Sequence, residues 1–217
     1  MAVRVDLNLS LDGIAMPANQ TSENPMGEDW GRLVASYVGT KTMRARVLHD
    51  ETGEGTTGVD DRYAAAYFDG VGAEIMGAGM FGLHSFPDDP DWRGWWGEEP
   101  PFGYPVLVLT HQPRPAIDFA NGTRVEFLSV GPEQALDRAV VVAGGADVRI
   151  GGGVSTVRDF LIGGLVDRLH VAISPIILGQ GRSLWDDLRS FDLGYDVTSE
   201  LSEAGVNHVT FARSVPH

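Results

Sequence analysis

The chain has 217 residues, 43% of them hydrophobic and 21% charged, which predicts one globular domain over residues 1–217 and argues against disorder. It contains 16 Lys and Arg residues and 30 Asp and Glu residues, which gives a formal net charge of −14. A charge of this sign repels nucleic acid and anionic lipid surfaces. The absence of Cys excludes disulfides and thiolate sites, and the scattered His residues predict no metal site.

The N-terminal part is predicted to alternate strand, loop and helix. Residues 3–11 alternate apolar and polar side chains, the period of a strand with one buried face, and Asp12-Gly13 supplies turn chemistry. Residues 16–29 mix Pro, Gly, Asn and Ser without a period, which predicts a long loop. Apolar spacing predicts a helix from Trp30 to about His49, and acidic residues start a second helix at Asp60.

The rest of the chain alternates strands with helices, which favours an α/β fold. Strands are predicted at 72–77, 106–110, 125–129, 148–150 and 168–174, and helices at about 132–143 and 154–163. Residues 82–104 are rich in Pro and Trp and are predicted to be irregular but ordered. Residues 191–213 contain two alternating segments around Gly205, which predict an antiparallel hairpin.

No part of the sequence predicts membrane insertion or export. Asp6, Asn8 and Asp12 interrupt the first apolar run too early for a signal-peptide core. No later segment approaches about 20 uninterrupted apolar residues. The sequence therefore predicts a cytoplasmic protein.

Three consecutive glycines, residues 151–153, stand between the predicted strand at 148–150 and a helix that opens with Ser155. Residues without Cβ allow a pyrophosphate to approach the backbone, and the N–H groups of the following helix stabilise its charge. A tight strand-to-helix turn explains the same glycines without a ligand. The Rossmann pattern G-x-G-x-x-G is absent here, which disfavours a Rossmann domain.

The surrounding segments resemble the reductase domain at the C-terminal end of RibD, the bifunctional riboflavin-biosynthesis deaminase-reductase, which shares its fold with dihydrofolate reductase. The resemblance rests on residues 151–153, 164–167 and 174–181, and extends to 10–13, 77–81 and 109–111. It implies a dihydrofolate reductase-like three-layer α/β fold, with a mostly parallel central sheet, helices on both faces and a C-terminal antiparallel hairpin. It also implies a homodimer that pairs through the C-terminal sheet.

The resemblance implies an NADPH-dependent reductase of a small heteroaromatic or carbonyl compound, of the 5-amino-6-(5-phosphoribosylamino)uracil reductase type. Two helix N-termini hold the pyrophosphate, a loop contacts the 2′-phosphate and the first strand borders the nicotinamide. The implied cofactor residues are Gly77, Ala78, Gly79, Met80, Ile150, Gly151, Gly152, Gly153, Val154 and Ser155, then Thr110, His111 and Arg114, then Asn8 and Ile14. Ala78 stands where the family often has Arg, so the preference for NADPH over NADH is less well defined.

Three carboxylates near the predicted loop are candidate catalytic groups: Asp12, Glu28 and Asp29. Each is placed to donate a proton or to orient a water. Asp12 equally fits a turn cap, and the other two fit a charged helix N-terminus. Glu28 or Asp29 also roughly matches the carboxylate that pairs with the pteridine in dihydrofolate reductases, so folate reduction is an alternative.

Aromatic side chains supply the candidate substrate contacts. Trp30, Trp95 and Trp96 offer flat surfaces on which a heteroaromatic compound could stack. A structural lid or a dimer contact explains the Trp-rich segment equally well. Two further alternatives keep the fold: a reductase that uses flavin or deazaflavin, and a catalytically silent binding protein, which the loss of Arg at Ala78 motivates.

Overall fold

The structure is a computed structural model that describes residues 1–21 and 23–214. The chain divides into two compact units. Unit 1 contains Met1–Val5 and Gly70–Asp167, and unit 2 contains Asp6–Asp69 and the chain from Arg168 onward. The prediction of one domain stays a prediction. Ser22, inside the predicted loop 16–29, lies outside the described residues, as do residues 215–217 of the predicted single domain.

The elements are named in chain order. The strands are β1 (Val3–Ser10), β2 (Ile14–Pro17), β3 (Val71–Gly77), β4 (Pro105–Leu109), β5 (Ile117–Asp118), β6 (Arg124–Leu128), β7 (Asp147–Gly152), β8 (Arg168–Ser174), β9 (Gly181–Ser183), β10 (Tyr195–Leu201) and β11 (Asn207–Arg213). The helices are α1 (Trp30–Leu33), α2 (Ala35–Val38), α3 (Lys41–Arg46), α4 (Val59–Ala66), α5 (Ala78–Phe81), α6 (Pro132–Ala143) and α7 (Val154–Ile162), with a 3₁₀ helix at Phe191–Gly194.

Unit 1 is built on a mostly parallel sheet. Its strands follow the order β1-β7-β3-β4-β6-β5, and only the short β5 is antiparallel to its neighbour. Central positions such as Ile75, Leu107 and Ile150 are fully buried, as expected for parallel strands covered on both faces. The confirmed fold class is thus α/β, with a mostly parallel sheet.

Helix α6 shows why these residues form this element. Pro132 occupies the first turn, where its missing N–H costs nothing, and Gly144 ends the helix with φ +60°. Buried side chains recur every fourth residue at Ala135, Ala139 and Ala143, which produces a smooth stripe that packs closely. A Cβ at Gly72 on β3 would collide with the Ala143 carbonyl, so the small residues on both partners permit this contact.

Unit 2 contains the predicted C-terminal hairpin. β10 and β11 are antiparallel, β11 is antiparallel to β8, and the strand order is β10-β11-β8-β1. Gly205, with φ +79°, lies in the connection between β10 and β11. The prediction of a hairpin at residues 191–213 is confirmed, although its first four residues form the 3₁₀ helix.

Two predictions for the N-terminal part of unit 2 are wrong. The single helix predicted at 30–49 is three short helices, because Thr40 is extended and caps a new helix by accepting a hydrogen bond from Met43 N at 3.2 Å. Residues 16 and 17, assigned to a loop, belong to β2, which pairs with the distant β9. Within the described residues, no helix combines the length and apolar character needed to cross a bilayer.

Candidate functional site

Two glycine-bounded strand ends lie side by side in unit 1. β3 and β7 are parallel neighbours, with Met76 opposite Gly152, and each strand is followed at once by a helix, α5 or α7. No side chain caps either helix at its N-cap residue, Gly77 or Gly153. The structure therefore brings together the two segments predicted to bind pyrophosphate, and we call residues 77–80 with 151–155 the glycine cradle.

Most glycines of the cradle are required by the protein itself. A Cβ at Gly77 would collide with Thr156 Oγ1, and a Cβ at Gly151 would collide with the Glu74 carboxylate. Gly152 has φ +120°, which L side chains rarely adopt. Gly153 differs, because a Cβ there would meet nothing within 4 Å and its φ is −47°. Packing among the described residues therefore does not explain Gly153.

The other cradle residues differ in their exposure. Ala78 and Met80 are half-buried, and Gly79 is exposed beside His84. Ile150 is fully buried and Val154 is 7% exposed, so both support the backbone of β7 and α7 from the core. Ser155 is exposed in the first turn of α7. Its side chain can therefore change without disturbing the core.

Arg114, predicted to lie near a 2′-phosphate, is already engaged with the Trp-rich segment. Its guanidinium donates hydrogen bonds to the carbonyls of Trp92 and, at 3.1 Å, of Asp89. It also lies over the Phe127 ring at 4.8 Å, and burial lowers its pKa below the usual value. Thr110 Oγ1 accepts from Gln112 N at 3.1 Å, and His111 is exposed. The 2′-phosphate role of these residues stays a prediction.

The tryptophans predicted to bind substrate pack against other rings. Trp95 is edge-to-face with Trp92 at 5.1 Å between centroids, and Trp96 is edge-to-face with Phe102 at 4.8 Å. Trp92 Nε1 donates to the Phe81 carbonyl at 2.9 Å. These contacts favour a structural role within unit 1. Trp30 belongs to unit 2, where it begins α1 and is half-buried.

Two of the three candidate carboxylates of unit 2, Asp12 and Asp29, make local contacts. Asp12 accepts hydrogen bonds from the backbone N–H groups of Gly179 at 2.7 Å and Leu178 at 3.2 Å. A hydrogen bond from the Ser10 side chain, followed by these backbone bonds, lowers the pKa of Asp12 to about 2. Asp12 is therefore ionised near neutral pH and has no proton to donate. Asp29 precedes α1 and pairs with Arg32 at 2.6 Å, while Glu28 is exposed.

A pocket in unit 2 contains polar residues that sequence reasoning missed. Asn8, predicted to border a nicotinamide, lines this pocket together with Asp6, Asp60, Tyr63, His170 and His208, whereas Ile14 is 9% exposed in β2. His208 on β11 pairs with Ala172, two residues from His170, so both imidazoles share one face of the sheet. The sequence signal that could have predicted this pocket was the presence of polar residues at alternate positions of two predicted strands.

The described residues contain no group of three or more His, Asp or Glu side chains arranged to hold a metal ion. The imidazoles of the pocket bond to each other and to carboxylates, so their ring nitrogens do not converge on a common point.

The model of one protein family, the RibD C-terminal domain, matches residues 1–209. None of the curated proteins matches the chain. A Shewanella sp. PV-4 protein, described as a candidate riboflavin biosynthesis protein, is 23% identical, with a TM-score of 0.63 over 99% of this chain and 100% of that chain. A pyrimidine reductase-like protein of Corynebacterium diphtheriae is 16% identical, with a TM-score of 0.50 over 99% and 92% of the two chains.

A longer protein of Thermotoga maritima is also similar. It is a diaminohydroxyphosphoribosylaminopyrimidine deaminase/5-amino-6-(5-phosphoribosylamino)uracil reductase, 14% identical with a TM-score of 0.54, and the match covers 98% of this chain and 56% of that chain. At these identities the likeness to solved structures shows the fold alone.

Proposed function

The chain belongs to the RibD C-terminal domain family, and we propose that it is a reductase that uses NADPH to reduce a small heteroaromatic or carbonyl compound. The observation that carries the proposal is Gly153, whose missing side chain no protein contact explains. It lies at the N-terminus of α7, where backbone N–H groups and the helix dipole favour a phosphate. The names of the reductases with this fold support the reaction class.

The residues of the glycine cradle fit a dinucleotide pyrophosphate. Space remains at Gly153 for close approach of the ligand to the backbone, and Ser155 can donate from its exposed hydroxyl. When bound, the reduced nicotinamide supplies hydride, and the protein's part is to hold the two reactants in a water-poor site. We assign the cradle, in unit 1, to the pyrophosphate, and the role of Asn8 at a nicotinamide stays a prediction.

A ribosylated pyrimidine is the substrate class that we propose. The support is the reductase name of the Thermotoga maritima protein, which carries the same fold. Under this proposal the three predicted carboxylates have different roles. Asp12 is ionised and can only orient a water or hold residues 178–179, whereas Glu28 and Asp29 keep the predicted role as proton donors.

The test is a titration of the purified protein with NADPH and, separately, NADH, followed by nicotinamide and tryptophan fluorescence. The key variant is Ser155→Asp. A carboxylate in the first turn of α7 repels a bound phosphate, but it interacts favourably with the helix dipole, so the variant should keep its stability. We expect NADPH affinity to fall by at least about tenfold, equivalent to about 1.4 kcal/mol, with no loss in melting temperature.

The matched controls are Ser155→Ala, which removes the hydroxyl without adding charge, and Gln134→Asp, which adds the same charge to the first turn of α6. Both should bind NADPH within about threefold of wild type. Absent binding of both nucleotides, or unchanged affinity in Ser155→Asp, would refute the cofactor assignment. The absorbance of the purified protein would then reveal a flavin or deazaflavin, and no bound cofactor of either kind would support a silent binding protein.

The predicted homodimer also remains a proposal. Its support is that β10 is the last strand in the order β10-β11-β8-β1 of unit 2 and exposes Val197 and Leu201, at 50% and 67%. An edge strand with apolar side chains is a surface that a second copy can cover.

A further inference from the structure

Strands β3 and β7 carry a fully buried ion pair next to the glycine cradle. Glu74 and Arg149 lie opposite each other in the strand register and are 1% and 0% exposed. The Arg149 guanidinium donates a hydrogen bond to Glu74 Oε2, and the Tyr104 hydroxyl donates to the same oxygen at 3.4 Å. All three residues belong to unit 1, which also contains the cradle.

The core around this ion pair is apolar. Val106 lies opposite Glu74 on β4, and both Val106 and the nearby Met76 are fully buried. Moving two charges out of water into such surroundings carries a large desolvation cost, and apolar residues of similar volume often give equal or higher stability. Folding stability by itself therefore does not account for the pair.

The carboxylate of Glu74 lies directly against the backbone of Gly151. A Cβ at Gly151 would collide with Glu74 Oε1 and would lie 2.6 Å from Glu74 Cδ, so a residue without a side chain is needed there. Arg149 precedes Gly151 by two residues on β7, and the two positions therefore share one face of the sheet. The ion pair thus holds the carboxylate in contact with the cradle.

Gly151 is also the extra residue of a β-bulge. The register between β3 and β7 places Ile75 opposite Ile150 but Met76 opposite Gly152, so Gly151 is skipped. A bulge of this kind bends its strand and changes the direction of the chain beyond it. The chain enters α7 within three residues of the bulge. The bulge therefore sets the direction in which α7 begins.

We propose that Glu74 and Arg149 are positioning residues for the pyrophosphate. Their ion pair fixes the bulge at Gly151, and the bulge directs the N–H groups of Gly153 and Val154 at the N-terminus of α7. Such N–H groups bind a phosphate when they point at it, so a change in their direction weakens binding without unfolding the protein. The identity of the ligand rests on the proposed function, whereas the positioning of the turn does not.

The test is a variant that removes the ion pair and keeps the core apolar, Glu74→Leu with Arg149→Met. Its melting temperature should equal or exceed that of the wild type, because neither charge stays buried without its partner. Residual dipolar couplings of the N–H groups of residues 152–154 measure the direction of the turn in the protein without ligand. We expect these couplings to change, while those of central strand residues such as Leu107 stay as in the wild type. Unchanged couplings at 152–154 would overturn the proposal, whatever the protein binds.

Titration with NADPH measures the consequence for binding. We expect the dissociation constant of the double variant to rise at least about tenfold. The matched control makes the same two substitutions, Glu126→Leu with Arg138→Met, at an ion pair with 3.1 Å between Arg138 Nη2 and Glu126 Oε2. Glu126 lies on β6, which β4 separates from β3. The control should keep the couplings of residues 152–154 and bind NADPH within about threefold of the wild type.

A second variant, Glu74→Asp, tests the proposal even if the double variant does not fold. It keeps the charge but is one methylene shorter, so its carboxylate withdraws from Gly151. A positioning role predicts that the couplings of residues 152–154 and the NADPH affinity both change, as in the double variant. Wild-type couplings and affinity would show that charge alone matters here, and would overturn the proposal.

The positioning proposal and the proposed function fail in different ways. If the couplings change but NADPH affinity stays within about threefold of the wild type, the ion pair does not position the pyrophosphate and the inference is wrong. If the wild type binds neither NADPH nor NADH, the proposed function fails, and the couplings alone decide whether the ion pair positions the turn.

Discussion

Gly153 and Asp12 show how differently single residues of a predicted site behave in the folded chain. Gly153 was one of three equivalent glycines in the sequence, and only the structure separates it from Gly151 and Gly152, which packing and backbone conformation require. Asp12 was a candidate proton donor, yet backbone N–H groups from residues 178 and 179 stabilise its carboxylate. At this scale the residue type was predictable, and its electrostatic environment was not.

Asp12 should contribute to stability only while it is ionised. Its folded pKa of about 2 lies below the ordinary value of 3.8, so its contribution is present above about pH 4 and is lost as the pH falls towards about 2. We expect the difference in unfolding free energy between wild type and Asp12→Asn to be constant from about pH 7 to about pH 5. The difference should disappear near about pH 2, and urea unfolding followed by circular dichroism measures it.

The matched variant for Asp12 is Asp88→Asn, at an exposed aspartate of the Trp-rich segment. It should show a smaller difference at every pH, because the shift at Asp12 comes from its hydrogen bonds. An equal pH dependence in both variants would show that general charge, and not these hydrogen bonds, controls the acid stability.

At the scale of elements, the segment 82–104 lacks helix and strand yet is ordered by specific contacts. Arg114 donates to carbonyls at Trp92 and Asp89, and Arg93 lies over the Phe119 ring at 4.5 Å. Composition predicted an irregular, aromatic segment. The sequence did not predict which Arg side chains bind this segment, because Arg114 is 22 residues from Trp92 in the chain.

Arg114→Ala should therefore destabilise this segment. The variant loses charge-assisted hydrogen bonds and a cation–π contact, and we expect a loss of about 2–4 kcal/mol in unfolding free energy. The near-ultraviolet circular dichroism signal should also decrease, because the tryptophans of residues 82–104 would pack less rigidly. The control is Arg138→Ala, which breaks an exposed ion pair with Glu126 and should cost less than about 1 kcal/mol. Equal losses would contradict the role assigned to Arg114.

At the scale of the whole molecule, the dominant electrostatic feature is the formal charge of −14. Charges of one sign repel each other in the compact state, and salt screens them by reducing the Debye length from about 30 Å at 0.01 M to about 8 Å at 0.15 M. The same field opposes any anionic ligand, so the backbone N–H groups of the glycine cradle must act against it.

We expect sodium chloride to raise the melting temperature between about 0.01 M and 0.15 M at neutral pH, because it screens this repulsion. The rise should disappear near the isoelectric point of about 4.6, where the net charge is small. Differential scanning calorimetry at the two pH values measures the effect. A melting temperature that falls with salt at neutral pH would show that surface ion pairs, such as Arg124 with Asp118, outweigh the general repulsion.

Periodicity, glycine spacing and turn chemistry were sufficient to predict the α/β class and the strands of unit 1 other than β5, because these signals are local in the chain. The segment at residues 77–80 was implied only by the family resemblance. The helix boundary at Thr40 and the pairing of β2 with β9 needed contacts beyond the local window. The hydrogen-bonded row of Asp6, His170, His208 and Asp60 is the clearest case. His170 and His208 are 38 residues apart, and Asp6 is 164 residues from His170. Only strand pairing in the folded chain brings these groups within hydrogen-bond distance.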